Sequence, residues 1–406
     1  MKKLMLALCL AVMPCIAKNV VISPLPLPKI EVINLDTQGC SKRCLNKLYE
    51  DGDYISFVAR FGDEEDVELR AKLSVAMQEI GILEVPLPPK KSNVAGVKIA
   101  LLMPKKVIGR YFTASIDTIL SYLMARGGDF SFEVFNTNTE DSKAIQEAYN
   151  RAVERDSNFI IGIFTTNGAK HIIQDLDIST PIYLPTINAR QIKDVKIPKN
   201  LYFGGIDYEK QIDILLSLSG GEQIVAYNDK SQAGAYLGSL LHAKNARIVF
   251  EQAIDSTMAK RFNTLIAAQR GHLKSSVVIF NTPGIRTGLI MSQIGSNGVR
   301  PRRMLSTQIN YDASLLNLVQ PSDRKEFFVV NVINEVNQHL LEYASLLGRD
   351  LKYNWVNYAT AVGVELLLGE SVDKKSRYFN EKFLNNQVNY NNKVYKISGD
   401  GFYEWR

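Results

Sequence analysis

Residues 159–188 read FIIGIFTTNGAKHIIQDLDISTPIYLPTIN, and this stretch decides the fold. An apolar run from Phe159 to Phe164 ends in Thr165-Thr166-Asn167-Gly168. A short helical stretch follows, and a second apolar run from Pro181 ends at Thr186-Ile187-Asn188. Short runs of β-branched and aromatic residues bounded by turn formers read as buried strands. Two such strands joined by one helix make a βαβ unit with a right-handed crossover. Small polar residues at the carboxyl ends of its strands face the crevice where ligands bind. The stretch therefore predicts a place for binding and brings no chemistry of its own.

The same alternation extends in both directions. Upstream, VKIALLM (97–103) and FSFEVF (130–135) are strands, each followed by a helix, over 111–124 and 142–155. Downstream, LYFGGI (201–206) is a strand, and Asp207 caps a helix that ends at Ser219-Gly220-Gly221. A second series begins with QIVAYN (223–228) and continues through ARIVFEQ (246–252), SVVIFN (276–281), RRMLST (302–307) and FFVVNVI (327–333). Helices over 338–347 and 355–368 follow. The tail, with strand-like runs 388–390, 393–397 and 402–405, reads as an antiparallel hairpin. Two α/β runs of about 110 to 120 residues each predict two doubly wound parallel-sheet lobes. We assign 96–220 plus about 335–370 to the first lobe and 221–334 plus about 371–406 to the second, with Gly220-Gly221 as the crossover.

The amino-terminal quarter differs. Lys2 and Lys3 precede an apolar run from Leu4 to Val12, and Met13-Pro14-Cys15-Ile16-Ala17 follows. This describes a secretory leader cleaved after Ala17, too short to stay as a membrane span. A lipid anchor at Cys15 fits less well, since a lipoprotein leader wants small residues just before its cysteine. The expected location is periplasmic. Residues 18–95 form a helical unit bracketed by proline: Pro24, Pro26 and Pro28 on one side, and a linker with Pro86, Pro88 and Pro89 on the other. Three short helices are predicted between 36 and 81, the third beginning at Asp63 with Glu64, Glu65 and Asp66 in its first turn. Cys40 and Cys44 stay after leader removal, and in an oxidising compartment they pair as a disulfide, with Cys40 at or before the helix start.

Composition narrows the function. The chain has 406 residues, 46% hydrophobic and 22% charged, which is ordinary for a globular protein. Its 48 lysines and arginines less the leader's two leave 46 against 42 acids, too even and too dispersed for nucleic acid. No segment after the leader approaches the length of a membrane helix. There is no GxSxG, GxxxxGK[ST] or HExxH, and His171, His242, His272 and His339 are scattered without ligand spacing. Neither catalysis, a metal nor a cofactor is expected.

The order of elements resembles the type I periplasmic binding-protein fold over about residues 97–406. The resemblance is carried by VKIALLMP, FIIGIFTTNGAK, PIYLPTIN with LYFGGIDYEKQ, and QIVAYNDKSQAGAYLGSLL. NWVNYATAVGVELL is similar to the helix that carries a Tyr-Asp pair in many members, although here Ala359 and Thr360 follow Tyr358. One branch, the penicillin-binding-protein activators of the outer-membrane lipoprotein type, also places a helical region before such a domain. Their helical region is longer than this one, and they carry a lipobox that is not seen here.

In amino-acid-binding members, the resemblance implies, the turn matching Thr165, Thr166 and Asn167 holds the ligand's carboxylate and amine. Thr186 and Asn188 match the next such turn, and Asn228 and Asp229 would meet the ligand from the opposite wall. The same residues also serve as turn formers and helix caps. Lys105, Lys106 and Arg110 follow the first strand, and Arg300, Arg302 and Arg303 form a second basic group; both suit an anionic ligand or acidic partner as well as a solvated loop. We therefore expect a non-enzymatic interaction, scaffolding or regulatory module of a cell-envelope machine, with an envelope protein as partner. The alternative is a solute-binding or sensor protein for a small polar or anionic ligand such as an amino acid.

Overall fold

The computed structural model describes residues 34, 39–62, 64, 66–80, 96–109, 111–192, 195–369, 372, 376–399 and 401–405, and the chain divides between Lys90 and Lys91 into two compact units. The expected leader, both Pro-rich stretches and Arg110 lie outside the described residues.

The first unit contains α1 (Lys42–Glu50), α2 (Tyr54–Arg60) and α3 (Val67–Glu79). Ser41 caps α1 by accepting the Cys44 N–H, and Asp53 caps α2 by accepting that of Ser56. The third helix starts later than its acidic run suggests. Asp66 accepts the N–H groups of both Glu68 and Leu69, so it works as the cap and not as a first-turn residue. Leu45, Phe57, Phe61, Leu69, Leu73, Ala76 and Met77 form one small core. Cys40 and Cys44 are disulfide-bonded with Cα atoms 5.4 Å apart. Cys40 lies before α1, which frees it from the spacing that a regular helical turn would impose.

Among the described residues the second unit holds fourteen strands. These are β1 (Val97–Met103), β2 (Phe130–Asn136), β3 (Phe159–Gly162), β4 (Ile182–Leu184), β5 (Leu201–Phe203), β6 (Ile224–Asp229), β7 (Ile248–Ile254), β8 (Val277–Asn281), β9 (Arg303–Ser306), β10 (Phe327–Asn331), β11 (Phe383–Leu384), β12 (Gln387–Val388), β13 (Lys393–Ser398) and β14 (Gly401–Glu404). Its main helices are α4 (Tyr111–Arg126), α5 (Ser142–Glu154), α6 (Thr166–Asp175), α7 (Tyr208–Ser219), α8 (Gln232–Ala243), α9 (Phe262–Ala268), α10 (Gly284–Ser296), α11 (Gln338–Leu346) and α12 (Trp355–Leu368).

The two seven-stranded sheets run β11-β12-β5-β4-β3-β1-β2 and β14-β13-β10-β9-β8-β6-β7. Strands β1–β5 and β6–β10 are parallel and ordered alike, with the order reversing beside β1 in one sheet and β6 in the other, whereas β12 joins β5 parallel and β13 joins β10 antiparallel. Successive side chains in a strand point to opposite faces, so continuous apolar runs such as Phe159–Gly162 are buried on both. Ile160, Leu184 and Phe203 pack with α5 and α6 on one face, while Leu101 and Ile161 join α4 and α12 on the other.

Two boundaries differ from the sequence reading. Gly220-Gly221 is not the crossover between lobes: Gly220, at φ 62°, only terminates α7. That helix buries Ile212 and Leu215 against Ile224 and Ala226, so it belongs to the second lobe. The chain therefore crosses earlier, at 204–207, in a segment with no helix-stop signal to announce it. The 371–406 tail is also shared and not confined to the second lobe. Gln387 pairs with Phe203, so β11 and β12 extend the first sheet, and only β13 and β14 form a hairpin on the second. The first hairpin turns at Asn385 and Asn386, both in the left-handed region (φ 49° and 62°), where asparagine is tolerated. The two further crossings are 332–337 and 389–392, and α11 and α12 return to pack on α4.

A buried charged network fixes this cover. Arg126 pairs with Glu365, both almost fully enclosed. The Glu365 carboxylate also accepts the N–H groups of Tyr378 and Phe379, each at 2.9 Å, and the Tyr122 hydroxyl. The guanidinium lies 3.8 Å from the centre of the Tyr378 ring. Such a pair is costly to break from one side, because the remaining charge is left buried alone.

Candidate functional site

The polar turns that follow the strands are where a ligand would be met in a doubly wound sheet. In the first lobe, Thr165 caps α6, and its hydroxyl accepts the Asn167 N–H. The turn is already occupied. Glu140, from the loop between β2 and α5, accepts the Thr165 N–H at 2.6 Å through Oε1 and the Thr165 hydroxyl through Oε2. Gly168 leaves it room, since a Cβ there would stand 2.8 Å from Glu140 Oε1. A carboxylate over a helix amino terminus satisfies unpaired N–H groups and the helix dipole. Here the chain supplies that anion itself.

The other first-lobe candidates divide. The Thr186 hydroxyl donates to the Phe164 carbonyl at 2.8 Å. Asn188 closes a capping box over residues 189–191, and its amide donates to the Gly205 carbonyl at 2.9 Å. Both are committed to shaping turns. The side chains of Thr166 and Asn167 make no hydrogen bond among the described residues, and Asn167 is exposed.

The second lobe fills its strand ends with amides. Asn228 donates to Glu251 and accepts from the Asn281 amide at 2.7 Å. Glu251 in turn meets His242 at 2.9 Å. Gln308 donates to Asn331 at 2.7 Å, accepts the Val332 N–H at 2.7 Å, and has its own N–H taken by Gln211. Asn310 donates to the Ser306 hydroxyl and the Thr282 carbonyl. Asp229 pairs with Arg286 and accepts the Ser231 N–H. Ser231, not Asp229, caps α8. At α10 the Asp312 carboxylate stands so close that a Cβ on Gly284 would lie 2.5 Å from it.

The crossing segments carry their own ties. The Tyr390 hydroxyl donates to the Gly204 carbonyl at 2.8 Å, and that of Tyr183 to the Ala359 carbonyl at 2.8 Å. A Cβ on Gly204 or on Gly363 would fall 1.8 Å from Tyr183, so both positions must be glycine for that ring to stay. Tyr358 is buried, and its hydroxyl goes to Glu381, which also accepts from Asn334 at 2.7 Å. Burial holds the hydroxyls of Tyr183, Tyr358 and Tyr390 protonated well above the usual tyrosine range, with the Glu381 charge adding to it.

Of the two basic groups, Lys105 and Lys106 open a four-residue helix after β1, with the Lys105 ammonium 5.3 Å from the Phe112 ring centre. Arg300 pairs with Asp323, Arg302 with Glu222, and Arg303 reaches the Leu218 carbonyl. Among the described residues no group of three or more His, Cys, Asp or Glu could hold a metal, and no helix is long and apolar enough to cross a membrane.

No family model matches the sequence, and no curated protein matches it. Solved structures do. A branched-chain amino acid ABC transporter from Thermus thermophilus with bound valine is 14% identical, with a TM-score of 0.55 over 76% of this chain and 95% of that one. A leucine-binding protein from Thermotoga maritima, also 14% identical, gives 0.51 over 76% and 98%. An extracellular ligand-binding receptor from Verminephrobacter eiseniae, 12% identical, gives 0.52 over 76% and 99%.

The fold is that of the type I periplasmic binding proteins.

These three are a transporter, a binding protein and a ligand-binding receptor. Sequence reasoning did not single out Glu140, Gln308, Asn310 or Glu381. Glu140 sits just before α5 and reads as an ordinary first-turn acid; only the return of β3 beside β1 brings Thr165 to it.

Proposed function

We propose that residues 97–405 are a non-catalytic binding receptor of the cell envelope, which closes two lobes over a small polar ligand. The type I fold with its three crossing segments carries this reading, because a hinge between two lobes is the usual device for enclosing a solute. Export by the leader expected at 1–17 would place it in the periplasm. Thr166 and Asn167 are the strand-end side chains left available to such a ligand. Glu140 occupies the turn that a free amino acid's carboxylate would need, so the solute is polar but not held through a carboxylate there.

The filled strand ends favour a second reading. With Glu140, Asp229 and Asp312 at the starts of α6, α8 and α10, the domain would be an interaction module, and the disulfide-stapled helices would dock an envelope protein. A thermal-shift screen of sugars, nucleosides, amines, amino acids and peptidoglycan fragments separates the two. A true ligand at a hundredfold excess over its Kd stabilises by about 2.7 kcal/mol. Silence across the whole screen removes the receptor reading. Pull-downs with and without residues 18–95 test the module, and identical partners in both would remove the docking role of the helices.

A further inference from the structure

A cavity of about 350 Å³ lies beside the crossing segments, apart from the strand-end turns; of the candidate ligand residues only Asn188 lines it. Its wall draws on all three crossings: Asp207 with Lys210, Val332, and the 389–392 stretch. It is markedly rich in amides, including Asn385 and Asn389, whose side chains make no hydrogen bond among the described residues. Its charges are unequal. Arg190 pairs with Asp207 at 3.0 Å, whereas the exposed Lys210 ammonium has neither an ion pair nor a hydrogen bond among the described residues. The wall therefore holds one unbalanced positive charge, with amide donors on the β11–β12 turn and the last crossing. Tyr390 and Val388 give it a partly apolar floor.

We propose that this cavity is a second binding site, for a small hydroxylated organic monoanion. The ligand's anionic group meets Lys210, and its hydroxyls meet Asn385 and Asn389. Such a ligand sits in a cavity lined from all three crossings, by Asp207, Val332 and Asn389, so its binding couples to the hinge. It needs no opening of the crevice and no displacement of Glu140. The site is independent of whether the crevice itself takes a solute.

The test is a titration of the full chain with gluconate, and in a parallel arm with inorganic phosphate, followed by the backbone amide resonances. Saturable movement at Ala189, Asn389 and Asn392 is expected with gluconate, and Lys210→Gln should weaken it tenfold or more. Lys210 is exposed, so that variant keeps the fold. Equal movement with phosphate would show that any anion suffices and would overturn the hydroxylated class. No saturable movement up to tens of millimolar, or movement indifferent to Lys210→Gln, would overturn the site. Movement confined to Thr166 and Asn167 would do the same while supporting the receptor reading, so the two ideas fail separately.

Discussion

The two lobes repeat one strand order yet close their polar positions by different chemistry. The first uses charge: Arg126 with Glu365 under its helical cover, and Glu140 over the start of α6. The second relies chiefly on neutral amides, with Asn228, Asn281, Gln308, Asn310 and Asn331 bonded across neighbouring strand ends. Topology decides where polar groups are needed, and leaves open whether a carboxylate or an amide meets the need. The charged solution is stronger per contact but fails abruptly when one partner is lost. The amide solution spreads the same task over more groups.

Alkaline pH should have the largest effect, and on both lobes. Tyr122, Tyr183, Tyr358 and Tyr390, all tied to the first lobe or its crossings, keep their protons to higher pH than an unfolded tyrosine, chiefly through burial. In the second lobe burial likewise raises Tyr208, Tyr227, Tyr236, Tyr311 and Tyr395. Above about pH 10 the unfolded chain releases these protons and the folded one does not, so stability falls as pH rises. Each tyrosine contributes about 1.4 kcal/mol per pH unit, and the four together on the order of 5 kcal/mol. Urea unfolding near pH 9 and pH 11 should show a large loss of stability, with amide protection falling in both lobes. A flat pH dependence would contradict this.

Glu365→Ala comes next, with an expected loss of about 3–5 kcal/mol from the stranded Arg126 charge. Pairing Arg126→Met with Glu365→Leu should recover most of it; a double variant as unstable as the single one would show that packing, not charge, was at stake. In the second lobe, Gln308→Ala should cost about 1–3 kcal/mol by stranding Asn331 and the Val332 N–H. A loss equal to that of Glu365→Ala would erase the contrast between the lobes. Smallest is Glu140→Ala, about 1 kcal/mol for a lost cap. Acetate should restore part of that loss if the vacated turn takes an anion, and chloride at equal ionic strength should not.

Much of this was readable along the chain. The runs at 97–103, 159–164 and 223–228 read as short enclosed strands, and Asp207 and Gly220 mark the ends of α7 where they should. The crossing at 204–207 was not readable, because Gly204 and Gly205 serve contacts remote in sequence: one makes room for Tyr183, the other packs against the backbone at Ile187–Asn188. The Asn385-Asn386 turn was not readable either, since a dipeptide's turn chemistry does not say which sheet its strands will join.

Local sequence determined the alternation of strand and helix, the two-lobed class, the staple at Cys40 and Cys44, and which turns would be polar. Those properties depend on side-chain periodicity and capping within about ten residues. Tertiary structure alone decided what fills the turns. Glu140 meets Thr165 across 25 residues, and Arg126 meets Glu365 across 239. A buried polar group takes whichever partner the fold brings within hydrogen-bond reach, and no local pattern encodes that choice.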